Sequence, residues 1–430
     1  MLPPLVAPAP VAPAATRWLA FALLSVGMFG NYYVYDSIGP VADMLQQQLG
    51  FTDQDIGTLN AIYSLPNIVM VLAGGVLADR WGPRNAFVAF TAICVLGAAV
   101  TAGSSSLAGM ATGRLLFGLG AESMSVALSA ALGRWFVAST LGLALGLNIS
   151  FGRLGSYAAD LSPTLAKPLY AQGWQSPLWL AAAIMAAGLV AGVLYWGMER
   201  TAARRGQLGP PPPTERIVFS DLVRFDRSYW YIAGLCVLFY SAILPFRSTF
   251  AIKYYQHAHG LNLEAASTLN SHVFLAAIFA TPAFGWLVDR IGRRALLMAV
   301  GSLLLPLSFW LLGAGTGAFA LNGSTVLLGI AYSLVPGVLW PSVARLVEPH
   351  RLGTAYGMMF LVQNVGLTVV NYFVGWLNDH SSASATNVAG YLPMLWFFGI
   401  LSLLGLGFAF LLRLRETGPH GHGLEVGNAE

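Results

Sequence analysis

Apolar residues run along this chain in long blocks with no polar face. The segments 178–198 and 295–313 are apolar all round. A water-facing helix carries a single apolar stripe, so such blocks suit helices wrapped in lipid or protein. Barrel strands would instead alternate polar and apolar over about ten residues. Only helices and closed barrels satisfy every backbone group in hydrocarbon, and the blocks read as helices. The pattern predicts twelve, near 17–41, 55–79, 85–104, 107–133, 139–166, 177–198, 228–256, 264–289, 295–313, 322–345, 351–378 and 391–412. Residues 1–16 are rich in Pro and Ala and lack a basic segment. They predict a disordered tail and not a cleavable signal.

Polar residues between the blocks set a direction. Arg17, Arg80, Arg84, Arg134, Arg200, Arg204, Arg205, Arg216, Arg224, Arg227, Arg290, Arg293, Arg294, Arg345, Arg351, Arg413 and Arg415 fall on one side of the predicted bundle. The opposite loops hold Lys167 and acids such as Asp43, Asp53 and Asp55. Basic residues are enriched in cytoplasmic loops, so both termini are expected in the cytoplasm. The stretch 199–227, with Pro210–Pro213, reads as a cytoplasmic linker. It separates six-helix bundles at 17–198 and 228–412, with a cytoplasmic tail at 413–430.

The two halves repeat each other. Gly75-Val-Leu-Ala-Asp79-Arg80-Trp-Gly82-Pro-Arg84 recurs 210 residues later as Gly285-Trp-Leu-Val-Asp289-Arg290-Ile-Gly292-Arg-Arg294. Thr58-Leu59-Asn60 recurs as Thr268-Leu269-Asn270, again at 210. Gly142, Gly146 and Gly155 match Gly353, Gly357 and Gly366 at 211. Agreement of three registers within one residue marks an internal duplication.

Composition confirms the solvent and narrows the function. Hydrophobic residues make up 56% of the chain and charged residues 9%, with mean hydropathy +0.66. Soluble domains carry about 25% charged residues. A soluble enzyme, a nucleic-acid binder and a disordered scaffold are therefore excluded, and the expected partners are a lipid bilayer and a small solute. Cys94 and Cys236 lie in apolar runs, with no disulfide framework and no metal-ligand spacing. His420 and His422 lie in a glycine-rich tail and read as solvated residues. No metal or cofactor is expected. A P-loop, an H-E-x-x-H helix and a G-x-S-x-G elbow are all missing from the sequence, so neither ATP hydrolysis nor these enzyme chemistries are supported. A sensor or scaffold would need no charges at mid-membrane.

Those few intramembrane charges are the candidate site, because a charge at bilayer depth costs several kcal/mol and usually faces a partner or a wet cavity. They are Asp36, Arg114, Glu122, Arg153, Asp160, Arg247 and Lys253. Glu122 and Arg153 reach the midplane from opposite sides, where carriers hold substrate. Two readings stay open for them. They form a buried salt bridge, or they hold the amino and carboxyl ends of a zwitterion, since an amine wants a carboxylate and a carboxylate wants a guanidinium fork. The repeat places neutral Asn364 opposite Arg153 and Ser333 opposite Glu122. Arg114 reads as structural. Asp36 needs a partner across the cavity and is either a proton-coupling or a structural acid, and Asp160 is structural or coupling. Arg247 and Lys253 either line an outer vestibule or snorkel. Tyr332, Trp340 and Pro341 are candidate cavity walls against a default of aromatic packing, and His272 reads as a packing histidine.

The duplicated G-x-L-x-D-R-x-G-x-R element, together with Arg114-Leu-Leu-Phe-Gly118-Leu-Gly120, resembles the signatures of the major facilitator superfamily. That resemblance implies two pseudo-symmetric six-helix bundles and alternating access. Asp79, Arg80 and Arg84, with Asp289, Arg290 and Arg294, would form a cytoplasmic gate. Longer strings narrow the likeness. Tyr63-Ser-Leu-Pro66-Asn67, Gly113-Arg114-Leu-Leu-Phe-Gly118-Leu-Gly120-Ala-Glu122-Ser123, Leu339-Trp340-Pro341, Leu352-Gly353-Thr354-Ala355-Tyr356-Gly357 and Gln363-Asn364-Val-Gly366 resemble the lysosomal dipeptide transporter family of animals. The resemblance implies facilitated diffusion of short peptides, with Glu122 and Arg153 on the two peptide ends; Asn364, Tyr332, Trp340, Asp36 and Arg247 are further candidates for the site from their own positions in the sequence. The chain departs from the family at Ser37, which stands in place of an Asn-Pro, and at Arg247. Its N-terminus lacks an acidic dileucine signal, and its Ala/Gly/Arg usage with two lysines reads as a bacterial cytoplasmic-membrane protein. The rival reading is a proton-coupled symporter of a small organic anion. A monomer is expected, and an accessory subunit is left open.

Overall fold

In a computed structural model, residues 12–209, 222, 224–315 and 317–426 are described; for residues 71, 72, 138, 282 and 289 only the backbone is. The described residues hold helices and no strand. The long helices are α1 (Ala14–Asp36), α2 (Asp53–Trp81), α3 (Pro83–Gly103), α4 (Leu107–Trp135), α5 (Ala138–Leu165), α6 (Gln175–Arg204), α7 (Arg227–His259), α8 (Leu263–Ile291), α9 (Arg294–Ala314), α10 (Ala318–Leu346), α11 (Leu352–His380) and α12 (Leu392–Glu416). Among the described residues nine of them are long and apolar enough to cross a membrane. α2 passes as a tenth only as a pair of segments bent by 61°. α1 and α5 fall below that measure. They carry Asn31, Asp36, Asn148, Arg153 and Asp160, which lower their mean hydropathy.

Local chemistry explains where helices stop. The pattern predicts a first helix to residue 41, but α1 ends at Asp36. Pro40 has no N–H to donate back to the Asp36 carbonyl, so the chain turns through a short 3-10 segment, Gly39–Val41, before the helix Ala42–Leu49. α7 breaks at the matching place. After Pro245 it widens into a π-helical turn, Phe246–Phe250, and resumes at Ala251. The predicted linker begins later than expected, because α6 continues to Arg204. The run Pro210–Pro213 and residues 1–11 lie outside the described residues.

The duplication is visible in the backbone. Thr52 caps α2 with a reciprocal box to Asp55, and Asn262, 210 residues on, caps α8. Gly82 and Gly292, the matching signature glycines, both have left-handed φ, +78° and +71°. A side chain there would be strained, which is why both copies keep glycine before the next helix. Each half has its own apolar core, one built from α1–α6 and the other from α7–α12. The halves meet where α2 packs on α11 and α5 on α8.

Candidate functional site

Between the halves lies a cavity of about 510 Å³, a size suited to a small solute. Glu122, Arg153, Asn364, Tyr332, Trp340, Asp36 and Arg247 all line it. Glu122 and Arg153 sit at mid-helix in α4 and α5. They do not form the salt bridge that was one reading of the pair. Arg153 turns instead to the other half, where its Nη1 donates to the Ala277 carbonyl (3.1 Å) and to the Thr281 hydroxyl, with its guanidinium over the Tyr332 ring (5.4 Å to the centroid). Glu122 is half-buried, and among the described residues it has neither a hydrogen bond nor an ion pair. The site therefore offers an unsatisfied carboxylate, and a guanidinium held only by neutral acceptors.

The second charge cluster closes one end of the cavity. The partner that Asp36 requires is Arg247, whose Nη1 lies 2.5 Å from Asp36 Oδ1. Nη2 of Arg247 pairs with Asp160. Asn270 joins them, its Nδ2 donating to Asp160 Oδ1 (3.1 Å) and to the Arg247 carbonyl (3.2 Å). Neither outer-vestibule nor snorkelling geometry applies to Arg247. It is 2% exposed, lies over Phe274 (3.9 Å) and locks α7 of one half to α1 and α5 of the other. At the pseudo-symmetric place the groups that meet across the halves are uncharged. There Asn60 of α2 donates to Thr249 (2.7 Å), and Thr249 donates to Asn371 of α11 (2.7 Å). The duplicated Thr-Leu-Asn strings thus put an asparagine on each cross-half seam. Further out, Lys253 pairs with Asp53 (2.6 Å) and is not a vestibule cation. Asp379 of α11 accepts from the Asp53 and Gln54 amides at the α2 N-terminus (2.9 and 2.8 Å), and Lys167 pairs with Glu264 (2.7 Å). All these ties lie toward the arginine-poor end. On the arginine-rich side, Arg134 with Glu199 and Asp226 with Arg415 each tie elements within one half.

The walls are aromatic. Trp340 donates from Nε1 to the Tyr240 hydroxyl (2.9 Å) and stacks on Phe360 (4.7 Å between centroids). Asn364 donates from Nδ2 to the Phe360 carbonyl one turn back (2.9 Å). Ser333, expected to supply a neutral partner from the second half, instead bonds to the Gly329 and Ala277 carbonyls (3.0 and 3.2 Å) and does not reach the cavity. A polar serine inside an apolar helix often bonds back in this way. Tyr32, Tyr35, Tyr63 and Thr281 line the cavity and were missed. The Tyr32-Tyr33-Val-Tyr35-Asp36 string, polar tips in an otherwise apolar helix, was the available signal.

A sequence profile of the Major Facilitator Superfamily matches residues 24–254 and 246–428. The chain belongs to the Major Facilitator Superfamily. Among its relatives, the lysosomal dipeptide transporter MFSD1 of Danio rerio is 31% identical over 386 residues, covering 86% of this chain and 80% of the relative. MFSD1 of Homo sapiens is 30% identical over 427 residues, covering 94% and 88%. A solved bacterial homolog of the human lysosomal transporter Spinster, inward-facing and unoccupied, superposes with TM-score 0.74 at 13% identity, covering 94% of this chain and 98% of that one. The chain is thus a multi-pass membrane transporter and not an enzyme.

In this transporter Arg114 is a structural pin. It is 1% exposed and donates to the Val34, Tyr35 and Leu59 carbonyls (3.1, 3.3 and 3.4 Å) and to Asn60 Oδ1 (2.5 Å). It thereby adds a donor at the end of α1, where Ser37 also donates to the Val34 carbonyl from its hydroxyl (2.8 Å), and ties that end to α2. Of the superfamily's signature loops, Asp79 and Arg80 are exposed, and Arg84 stacks over Trp196 (5.7 Å). In the second copy, Arg290 lies over Trp286 (5.2 Å), and the Asp289 side chain lies outside the described residues. Arg294 departs from a gate position. It is 6% exposed because the C-terminal tail folds back on it, its amide donating to the Leu424 carbonyl (2.7 Å) while Glu425 accepts from the Leu296 amide (2.7 Å). His420 and His422 are both exposed, as expected, and His422 is in addition tethered to Glu416 through its ring and its amide (3.0 and 2.7 Å). Another pair not foreseen, Arg134 with fully buried Glu199 (2.5 Å), ties α4 to α6.

Proposed function

We propose that this transporter carries dipeptides or similar small zwitterions across the membrane by alternating access, as facilitated diffusion. Glu122 receives the amino end and Arg153 the carboxylate, and Asn364, Tyr332 and Trp340 wall the cavity. The observation that carries this reading is the unpaired Glu122 in the same cavity as an Arg153 held only by neutral acceptors. A structural pair would have neutralised itself. In this reading all twelve long helices span, with the arginine-rich end and both termini in the cytoplasm of a bacterial cell. The described conformation is then closed outward by the Asp36–Arg247–Asp160 seam and open inward. Asp79, Arg80 and Arg84, with Asp289 and Arg290 at the matching turn, close the cytoplasmic side when the halves rock; Arg294, covered by the C-terminal tail, is not part of this gate. The likeness to relatives named as dipeptide transporters supports the substrate class.

Thermal unfolding of the purified protein tests the ligand class, because a ligand of the folded state raises its apparent stability. Free dipeptides are expected to stabilise it. Dipeptides blocked by N-acetylation or C-amidation are expected to do so weakly. Equal stabilisation by blocked and free peptides would refute the two-ended site. A second reading, a proton-coupled symporter of a small organic anion, rests on one observation, two carboxylates sharing one arginine in the closing seam. Uphill uptake driven by an imposed pH gradient would favour it.

A further inference from the structure

Arg153 belongs to one half of the molecule, yet its hydrogen-bond partners belong to the other. Its guanidinium grips Thr281 and the Ala277 carbonyl of α8. The acceptor is prepared for it: the Thr281 hydroxyl donates to that same carbonyl (2.7 Å), which leaves its oxygen lone pairs turned to Arg153. This contact is the innermost of a row along the α5–α8 seam. Asp160 with Asn270 (3.1 Å), Thr164 with Thr268 (3.3 Å) and Lys167 with Glu264 (2.7 Å) follow it outward to the surface.

We propose that Thr281 is a positioning residue that holds Arg153 as a clasp between the halves, and that the substrate carboxylate opens this clasp by taking Arg153 away from it. The inference rests on the reading of Arg153 as carboxylate anchor. A carboxylate is a stronger acceptor for a guanidinium than a hydroxyl or a carbonyl and offers it two oxygens. Both α8 partners sit on Nη1, so a carboxylate that meets the Nη1–Nη2 end of the fork, as proposed, takes Nη1 away from them; one that met the Nε–Nη2 edge would leave the clasp intact. Binding therefore removes the innermost tie of the seam and leaves the outer ones in place. A ligand shifts a conformational balance only through interactions that differ between the two states, and the lost clasp is such a difference. Loss of the clasp makes opening outward easier for the loaded transporter, while the empty one, whose clasp is made of neutral acceptors alone, still reorients as facilitated diffusion requires, only more slowly.

Thr281→Val removes one of the two acceptors at nearly constant volume and leaves the Ala277 carbonyl. The weakened clasp competes less, so a free dipeptide is expected to bind about fivefold more tightly, the equivalent of one typical net hydrogen bond. Binding of the same dipeptide as its C-terminal amide, which has no carboxylate to recruit Arg153, is expected to stay as in the wild type. Thr281→Ser keeps the acceptor and should restore wild-type affinity for the acid. Unchanged or weaker binding of the acid by Thr281→Val, or equal tightening for acid and amide, overturns the proposal. Arg153→Ala separates the two layers. If it loses the acid while Thr281→Val fails to tighten it, only the clasp is wrong. If it binds the acid as the wild type does, the anchor reading itself fails.

Discussion

The closing seam can be broken in two ways of very different cost. Asp36, Asp160 and Arg247 form a buried cluster of two acids and one base, each side chain at most 2% exposed. Replacing Arg247 with Met leaves two carboxylates facing each other with no counter-charge. Breaking a buried ion pair by removing one partner costs about 3–5 kcal/mol. That corresponds to a factor on the order of 10²–10³ or more in an equilibrium. The cluster lies between the halves, so the cheapest relief is to part them and let water reach the acids. Arg247→Met is therefore expected to shift the population toward a form open at the arginine-poor end. Asp36→Asn or Asp160→Asn leaves a one-to-one pair and costs about 1 kcal/mol, the scale of one hydrogen bond. Spin labels at Leu165 of α5 and Ala265 of α8, both exposed at that end, report the separation; Cys94 and Cys236 are buried and stay in place. The distance distribution should lengthen in Arg247→Met and remain close to wild type in either acid variant. Equal disruption by all three, or none by Arg247→Met, would refute the charge argument.

Gly375 of α11 packs so closely on the start of α2 that an added Cβ would run into the Asp53 carbonyl and approach Gln54 Cα to 2.7 Å. Gly375→Leu should therefore hold the same end apart, read by the same labels. Arg114→Met takes the guanidinium from the Val34, Tyr35 and Leu59 carbonyls and from Asn60 Oδ1, with Ser37 still donating to Val34, and a loss of about 2–3 kcal/mol is expected in unfolding by denaturant. Asp226 caps α7 by accepting from the Ser228 amide (2.8 Å) and pairs with Arg415 (2.5 Å). Burial pushes its pKa up, but the Arg415 and Ser228 hydrogen bonds and the Arg415 charge outweigh this and hold it well below the ordinary carboxylate range. A depressed folded pKa contributes stability in full above the unfolded value of about 3.9 and loses it as pH falls toward the folded one. The difference in unfolding temperature between wild type and Asp226→Asn should thus be flat from about pH 7 to 5 and shrink below about 4.

Helix positions were legible because lipid demands apolar surface and internal backbone pairing, and both leave long signals. The repeat was legible for a related reason: Gly82 and Gly292 answer the same turn twice, and the caps Thr52 and Asn262 start the same helix twice. Membrane charges are costly enough to stand out, so the cavity-lining Glu122, Arg153, Asp36 and Arg247 could be picked from an apolar background. Their partners could not. Arg153 meets Thr281 and Arg247 meets Asp160 across the two halves, at separations of 128 and 87 residues. Helical periodicity says nothing about such distances. Asn60 and Asn270 showed as a repeat but not as seam residues, because an uncharged polar side chain costs too little to stand out. The tail escaped notice for the opposite reason. His422, Leu424 and Glu425 sit in a stretch whose glycines suggest solvent, yet Leu424 is fully buried where the tail covers the start of α9.

Uptake of a labelled dipeptide into proteoliposomes tests the two-ended zwitterion site most directly, with wild type, Arg153→Ala and Glu122→Gln measured side by side. Saturable uptake by the wild type is expected, competed by free dipeptides and not by doubly blocked ones, and each substitution should lower it at least tenfold, the scale of a lost charge-assisted contact. Uptake by both variants at the wild-type rate, or equal competition by blocked peptides, would contradict it.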